Sequence, residues 1–179
     1  DLVLLSHDHH FDNLDHTGRA VLAHVEKVLT TPFSAERLGG NAVGLAPWQT
    51  FDLPTRDGRI LRVTGTPARH GPVGGERGPV TGFVLTREDG LDGAIYISGD
   101  TVWYDGVAEV ARRFPVRTAV LFMGAARVRE VGPHHVTMIA HPGRRNRRPR
   151  ATRSPKTHPC AKWPRAHQHN PCVHLRPPP

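Results

Sequence analysis

Apolar and polar positions along residues 1–53 follow the pattern of short strands separated by helices and turns. The apolar run at 2–5 predicts a buried strand, because a short unbroken run of this kind is typical of a strand covered on both faces. Asp15 is placed to cap a helix over 16–27, and residues 28–30 predict the next strand. Thr31 precedes a proline, so it predicts the cap of a short helix that ends at a pair of glycines.

The middle of the chain alternates in the manner of paired strands. Residues 49–53 and 59–64 predict a hairpin around the turn signal at 55–58. Further strands are expected over 80–86, 94–98 and 117–123, with a helix over 106–114. The pattern therefore indicates a sheet-rich α/β domain.

Charge and proline are concentrated after residue 139. The 179-residue chain has a formal charge of +8, yet ten of its 24 Lys and Arg lie in 140–179, where there is no Asp or Glu. The other fourteen face 16 acidic residues, so residues 1–139 carry a net −2. The tail also holds nine of the 17 prolines. We predict a domain over 1–139 and a disordered basic Pro/Arg/His-rich tail over 140–179, capable of non-specific contact with nucleic acid.

Cysteine usage and hydropathy narrow the class of protein. Both cysteines lie in the tail, so the domain rests on its apolar core rather than on disulfides. No run of about 18 apolar residues predicts a transmembrane helix, and we expect no membrane partner and a cytoplasmic location. The chain begins without Met, which suggests that the true beginning is missing.

Residues 6–15 contain the densest group of histidines and aspartates in the chain. His7 and His9 are two apart after a predicted strand, so their side chains point the same way and can bind one ion. Asp12, in the following turn, can supply an oxygen ligand to a second ion. The alternative is a surface loop that is merely rich in His and Asp.

Three segments resemble the metallo-β-lactamase superfamily, whose signature is His-x-His-x-Asp-His after a strand. His7, His9 and Asp12 match it if one residue is inserted, and Asn13 then replaces a histidine; without the insertion, Asp8 and His10 take the two leading places. Residues 66–70 resemble the segment with a third histidine, and 97–101 the segment with a bridging aspartate. The alternative for His70 is an ordinary loop histidine, and the alternative for Asp100 is a helix cap.

The resemblance implies an α/β fold, a partial four-layer αββα sandwich, and a dinuclear site. His7, His9 and His70 would hold one metal, Asp100 would bridge, and Asp12 would hold the second, with Asp12 and Asp100 as catalytic residues. Two zinc ions are expected, with manganese or iron as alternatives. Three further residues are candidates: His10 in place of His9, Asn13, and His135 as a pocket or proton-donating residue.

The implied activity is hydrolysis of an ester, lactone or phosphodiester in a small-molecule or phosphodiester substrate, through a metal-bound hydroxide. Within the superfamily, residues 1–138 most resemble the group of ascorbate-phosphate lactonases, phospholipase-D-like hydrolases and tRNA-processing nucleases. Compared with that family, the chain is expected to lack its first strands and to be altered after about residue 138, as by translation in another reading frame, so its activity is expected to be impaired. The alternative function is a non-catalytic protein that binds nucleic acid through the Arg-rich tail.

Overall fold

The structure is a computed structural model that describes residues 1–74, 76–90 and 93–122, together with the backbone of 126–127 and 135–136. The predicted tail, 140–179, lies outside the described residues. In the described part of the chain, no helix is long and apolar enough to cross a membrane.

Three helices and ten strands form within these residues. The strands are β1 (Leu2–Leu4), β2 (Lys27–Thr30), β3 (Ala42–Gly44), β4 (Thr50–Pro54), β5 (Ile60–Pro67), β6 (Thr81–Arg87), β7 (Ala94–Ile97), β8 (Val116–Val120), β9 (Ala126–Arg127) and β10 (His135–Val136). The helices are α1 (His16–Leu22), α2 (Pro32–Leu38) and α3 (Asp105–Arg113).

The strands form two main sheets and one small ribbon. β1, β2 and β3 are a parallel sheet in that order. β4 to β8 form a five-stranded sheet in sequence order, antiparallel except for the parallel pair β7–β8. β9 and β10 pair as an antiparallel ribbon. Because β5 and β7 both run antiparallel to β6, their carboxyl ends lie at the same edge.

The two sheets pack face to face, and helices cover their outer faces. Adjacent residues on one strand point to opposite faces, and β6 shows this: Phe83 lies in the core between the sheets, while Val84 packs under α3. On β2, Leu29 points into the same inter-sheet core and Val28 toward the layer of α1 and α2. This arrangement is the predicted partial four-layer αββα sandwich.

Helix α1 is shorter than the 16–27 span expected from the sequence. Asp15 caps it as predicted, accepting a hydrogen bond from Gly18 N–H at 2.6 Å. The helix ends at Leu22, and the Asn41 side chain donates to the Leu22 and Val25 carbonyls. The predicted end of this helix at residue 27 was wrong, because Lys27 belongs to β2, where it pairs with β1.

The other elements agree with the expectations, except that strand β3 and the β9–β10 ribbon were not expected. Thr31 caps α2, and β4 and β5 form the predicted hairpin. The three-residue strand β3 was not foreseen from its sequence, since so short a segment carries no readable alternation.

Candidate metal centre

Three loops meet at one edge of the sandwich. His7 follows β1, His70 follows β5 and Asp100 follows β7. Two hydrogen bonds hold the loops together across the sheets: Thr81 N–H donates to the Ser6 carbonyl at 3.1 Å, and Asp100 N–H donates to Ser6 Oγ at 3.3 Å. The β1 loop is thereby fixed against the five-stranded sheet.

Four imidazoles and one carboxylate cluster at this edge. His10 Nδ1 lies 3.1 Å from His7 Nε2 and 3.2 Å from His70 Nε2. Asp100 Oδ2 lies 3.7 Å from His70 Nε2. The ligand atoms of His7, His9 and His10 all lie within 4.8 Å of one another, as do those of His7, His70 and Asp100.

The spacing of these atoms fits a metal ion. Two nitrogens bound to tetrahedral zinc, each at about 2.0–2.1 Å, are roughly 3.3 Å apart, close to the 3.1 and 3.2 Å separations around His10 Nδ1. One proton cannot serve both of these contacts, since each needs a donor and an acceptor. Converging ring nitrogens of this kind are satisfied together when they share a cation.

The other ring nitrogens are arranged to leave a lone pair facing the cluster. His9 Nε2–H donates to the Arg77 carbonyl at 2.7 Å, which leaves His9 Nδ1 bare; this atom is buried and has no hydrogen-bond partner among the described residues. His7 Nδ1 lies 3.3 Å from Ser6 Oγ, so a proton there leaves Nε2 free to bind. Hydrogen bonds of this type fix the tautomer of metal-binding histidines.

Burial and mutual repulsion lower the pKa values of His7, His10 and His70 and keep these three imidazoles neutral. Burial, followed by the charges of neighbouring histidines, lowers the pKa of His7 to about 3 and that of His70 to about 4. The pKa of His10 is also lowered, mainly by burial and by His9. Burial, with a smaller effect of Asp12, raises the pKa of Asp100 to about 6. Neutral imidazoles are the form that binds metal. A buried carboxylate with little positive charge near it, such as that of Asp100, is stabilised by a bound cation.

The remaining sequence-predicted residues occupy different places. Asp12 is exposed and belongs to neither group of converging ligand atoms, although its charge reaches His10, His70 and Asp100. The Asn13 side chain donates from Nδ2 to the His7 carbonyl at 2.5 Å, so it holds the loop. The backbone of His135 lies on β10, and its side chain is outside the described residues.

The ion pairs of Asp8 behind the loop were not predicted from the sequence. Asp8, between His7 and His9, has a side chain only 1% exposed and lies 3.5 Å from Arg19 Nη2 and 3.3 Å from Arg37 Nη2. The two arginines come from α1 and α2, so this group ties the histidine loop to the helical layer. Nothing in the sequence pairs these positions, since they meet only when both helices pack on the first sheet.

Gly99 shapes the turn that presents Asp100. It has φ +58°, and a Cβ there would lie 2.3 Å from the Thr81 carbonyl oxygen and 2.7 Å from Ser6 Oγ. Residues with a side chain rarely adopt this backbone conformation, and a glycine also allows the close approach of Thr81 and Ser6 without a clash.

Comparisons with known proteins agree with this geometry. The sequence model of the Beta-lactamase superfamily domain matches residues 1–146. No curated protein matches significantly.

Several solved structures share the fold. An isothiocyanate hydrolase from Delia radicum gut bacteria is 24% identical with a TM-score of 0.58, covering 77% of this chain and 55% of that one. A possible metal-dependent hydrolase from Veillonella parvula is 17% identical with a TM-score of 0.60, covering 76% and 53%. A novel metallo hydrolase from the archaeon Ignicoccus hospitalis is 22% identical with a TM-score of 0.50, covering 70% and 53%. The chain thus spans about half the length of these proteins.

Proposed function

This chain belongs to the metallo-β-lactamase superfamily, and from that premise we propose that it acts as a metal-dependent hydrolase. The observation that carries the proposal is the convergence of His7 Nε2, His10 Nδ1 and His70 Nε2 beside the Asp100 carboxylate. An imidazole cluster that is buried, neutral and short of protons is a poor structural core and a good ligand set.

We assign the first ion to His7, His10 and His70, with Asp100 completing the set. The bare Nδ1 of His9 supports a place for this residue in the same centre. Nitrogen ligands with one carboxylate favour zinc, while manganese and iron are accepted by the same donors. A second ion would use Asp100 with Asp12, whose carboxylate is exposed on the neighbouring loop.

A bound ion supplies Lewis acidity and makes a water molecule more acidic, toward neutral pH. The protein supplies the rest of the chemistry. The Arg77 carbonyl holds His9 in one tautomer, and Ser6 Oγ lies within reach of His7 Nδ1. Asp100 brings negative charge to the centre, and the exposed carboxylate of Asp12 would accept a proton and release it to bulk water when it holds no second ion.

The substrate that we propose is a small molecule with an ester, lactone or phosphodiester bond. These bonds share an electrophilic centre with an oxygen that a Lewis acid polarises. A hydrolysis panel should therefore hold an aryl ester, a lactone and an aryl phosphodiester. An isothiocyanate should be added, because one of the similar structures is named for its hydrolysis.

The decisive experiment is metal content per chain, measured by elemental mass spectrometry on protein purified without chelator. We expect one to two ions per chain for the unmodified protein and a clear loss in His70→Ala. The matched control is His24→Ala, since His24 is exposed beyond the end of α1 and away from the cluster. Folded protein without metal after exposure to zinc, manganese and iron would rule out the proposal.

A further inference from the structure

The loop between His70 and β6 presses one residue against the metal centre. Arg77 N–H donates to the His70 carbonyl at 2.7 Å, and the Arg77 carbonyl accepts the hydrogen bond from His9 Nε2, also at 2.7 Å. The backbone of Arg77 is thus held on both sides by candidate metal ligands. Gly78 continues this close approach, because a Cβ there would lie 2.6 Å from His9 Nε2.

The side chain of Arg77 is a half-buried cation without a carboxylate partner. Within the described residues, no Asp or Glu oxygen forms an ion pair with it. The adjacent Glu76 forms no ion pair with it within the described residues, and the Glu76 carboxylate accepts a hydrogen bond from Gly74 N–H.

Other arginines with half-buried or site-adjacent positions have partners. Arg19 and Arg37 pair with Asp8, and Arg69 stacks over the Tyr104 ring at 4.6 Å. Within the described part of the chain, the guanidinium of Arg77 has neither kind of partner, and the backbone of this residue lies beside the metal centre. Its charge lowers the pKa values of both His10 and His70, which agrees with a location close to their rings.

An unpaired cation at this position has a chemical consequence. A partly desolvated guanidinium loses hydration that only a counter-ion restores fully. Its planar fork of N–H donors matches a carboxylate or a phosphate in two parallel hydrogen bonds. The carboxylates near the centre, Asp100 and Asp12, would already be compensated by a metal, so the charge of Arg77 remains for another anion.

We propose that Arg77 binds an oxyanion of the substrate next to the bond that is hydrolysed, so that the enzyme selects anionic over neutral substrates. The inference rests on the proposed hydrolase function and adds to it the substrate class: a carboxylate- or phosphate-bearing ester or lactone, or a phosphodiester. Arg77 is a specificity-determining residue in this scheme, since its backbone contacts position the centre and its side chain binds the anionic group of the substrate.

The variant Arg77→Gln separates these two roles. It keeps the backbone N–H and carbonyl that contact His70 and His9, and it replaces the charged guanidinium by a shorter, neutral amide. The control is Arg117→Gln, an exposed arginine on β8. Metal content must be the same in both variants and the unmodified protein, which shows that the centre is intact.

Binding is measured by isothermal titration of the metal-loaded protein with inorganic phosphate and, separately, with succinate. The unmodified protein and Arg117→Gln are expected to bind at least one of these, and Arg77→Gln to bind it at least about tenfold more weakly, the typical effect of a charge-assisted hydrogen bond. The probe with the higher affinity shows whether the site prefers a phosphate or a carboxylate. Equal binding by all three proteins, or no binding to any of them, overturns the proposal.

Kinetics with two matched esters distinguish this inference from the proposed function. Arg77→Gln is expected to raise KM for p-nitrophenyl hemisuccinate about tenfold more than it raises KM for neutral p-nitrophenyl acetate. Hydrolysis of both esters with equal changes in the variant overturns the role of Arg77 and leaves the hydrolase function standing. Absence of hydrolysis by metal-loaded protein contradicts the hydrolase function, while the titrations still decide whether Arg77 binds an anion.

Discussion

The turn at Gly99 is the most exacting backbone position in the candidate centre, because it joins β7 to Asp100 against two other loops. In Gly99→Ala, the new Cβ would meet the Thr81 carbonyl oxygen at 2.3 Å and Ser6 Oγ at 2.7 Å. Both partners belong to the hydrogen bonds that join the sheets at this edge, through Thr81 N–H to the Ser6 carbonyl and Asp100 N–H to Ser6 Oγ. The substitution should therefore loosen the centre as well as the fold.

Two costs add in this variant. A left-handed conformation, here φ +58°, costs a non-glycine residue roughly 1–2 kcal/mol. Overpacking against a backbone atom that cannot rotate away costs about 1–3 kcal/mol more. We expect the free energy of unfolding to fall by about 2–5 kcal/mol, a large part of the stability of a typical domain.

Gly58→Ala is the matched control. Gly58 also has positive φ, +78°, but a Cβ there meets no atom within 4 Å. It should lose only the conformational part, roughly 1–2 kcal/mol, and leave metal binding unchanged. Urea unfolding followed by circular dichroism gives both free energies, and elemental analysis gives metal content. If Gly99→Ala costs no more than Gly58→Ala and keeps its metal, the close contacts at this turn are not what holds Asp100 in place.

Three further outcomes are expected. Phe83→Ala should lower the free energy of unfolding by about 3–5 kcal/mol, since Phe83 is 1% exposed between the sheets; a loss below about 1 kcal/mol in urea unfolding would contradict the assigned core. Asp8→Asn should lower the free energy of unfolding by about 1–3 kcal/mol, less than the loss of a fully buried ion pair, because the two arginine partners are 40% and 46% exposed. The variant should also bind zinc more weakly in a competition titration. Unchanged zinc affinity would show that the ion pairs do not position the histidine loop. Metal-free protein should lose stability as pH falls from about 6 to 4. The pKa values of His7 (about 3) and His70 (about 4) lie below the ordinary 6.5, so the unfolded chain binds two more protons than the folded chain at these histidines. The pKa of Asp100 is raised to about 6, so the folded chain binds one more proton than the unfolded chain at this carboxyl. The net proton corresponds to about 1.4 kcal/mol per pH unit, and a flat or opposite slope in thermal melts at several pH values would refute the assignment of neutral buried imidazoles.

Much of the fold was predictable because the signals are local. Asp15 and Thr31 cap their helices through hydrogen bonds to backbone N–H groups three residues ahead, so the sequence places cap and helix side by side. The β4–β5 hairpin likewise depends on one turn between two alternating segments. The end of α1 was not predictable in this way, because it depends on Asn41, which reaches back 16 and 19 residues to the helix end.

The candidate residues of the centre were also visible in the sequence, as histidines and aspartates that follow predicted strands. Which atoms face one another was decided by the tertiary structure. His10 meets His70 across 60 residues, His9 meets the Arg77 carbonyl across 68, and Ser6 meets Asp100 across 94. Adjacent histidines on an irregular loop carry no periodicity that tells which of them points inward.

The sequence by itself therefore determined the element types, the binary pattern of the sandwich and the list of groups with metal-binding chemistry. The tertiary structure decided the central position of His10, the loop-holding contact of Asn13, the burial of Asp8 and the placement of Arg77 beside the centre. The physical reason is range: capping and alternation act between residues a few positions apart, whereas the relations between these side chains exist only after two sheets and their helices have packed together.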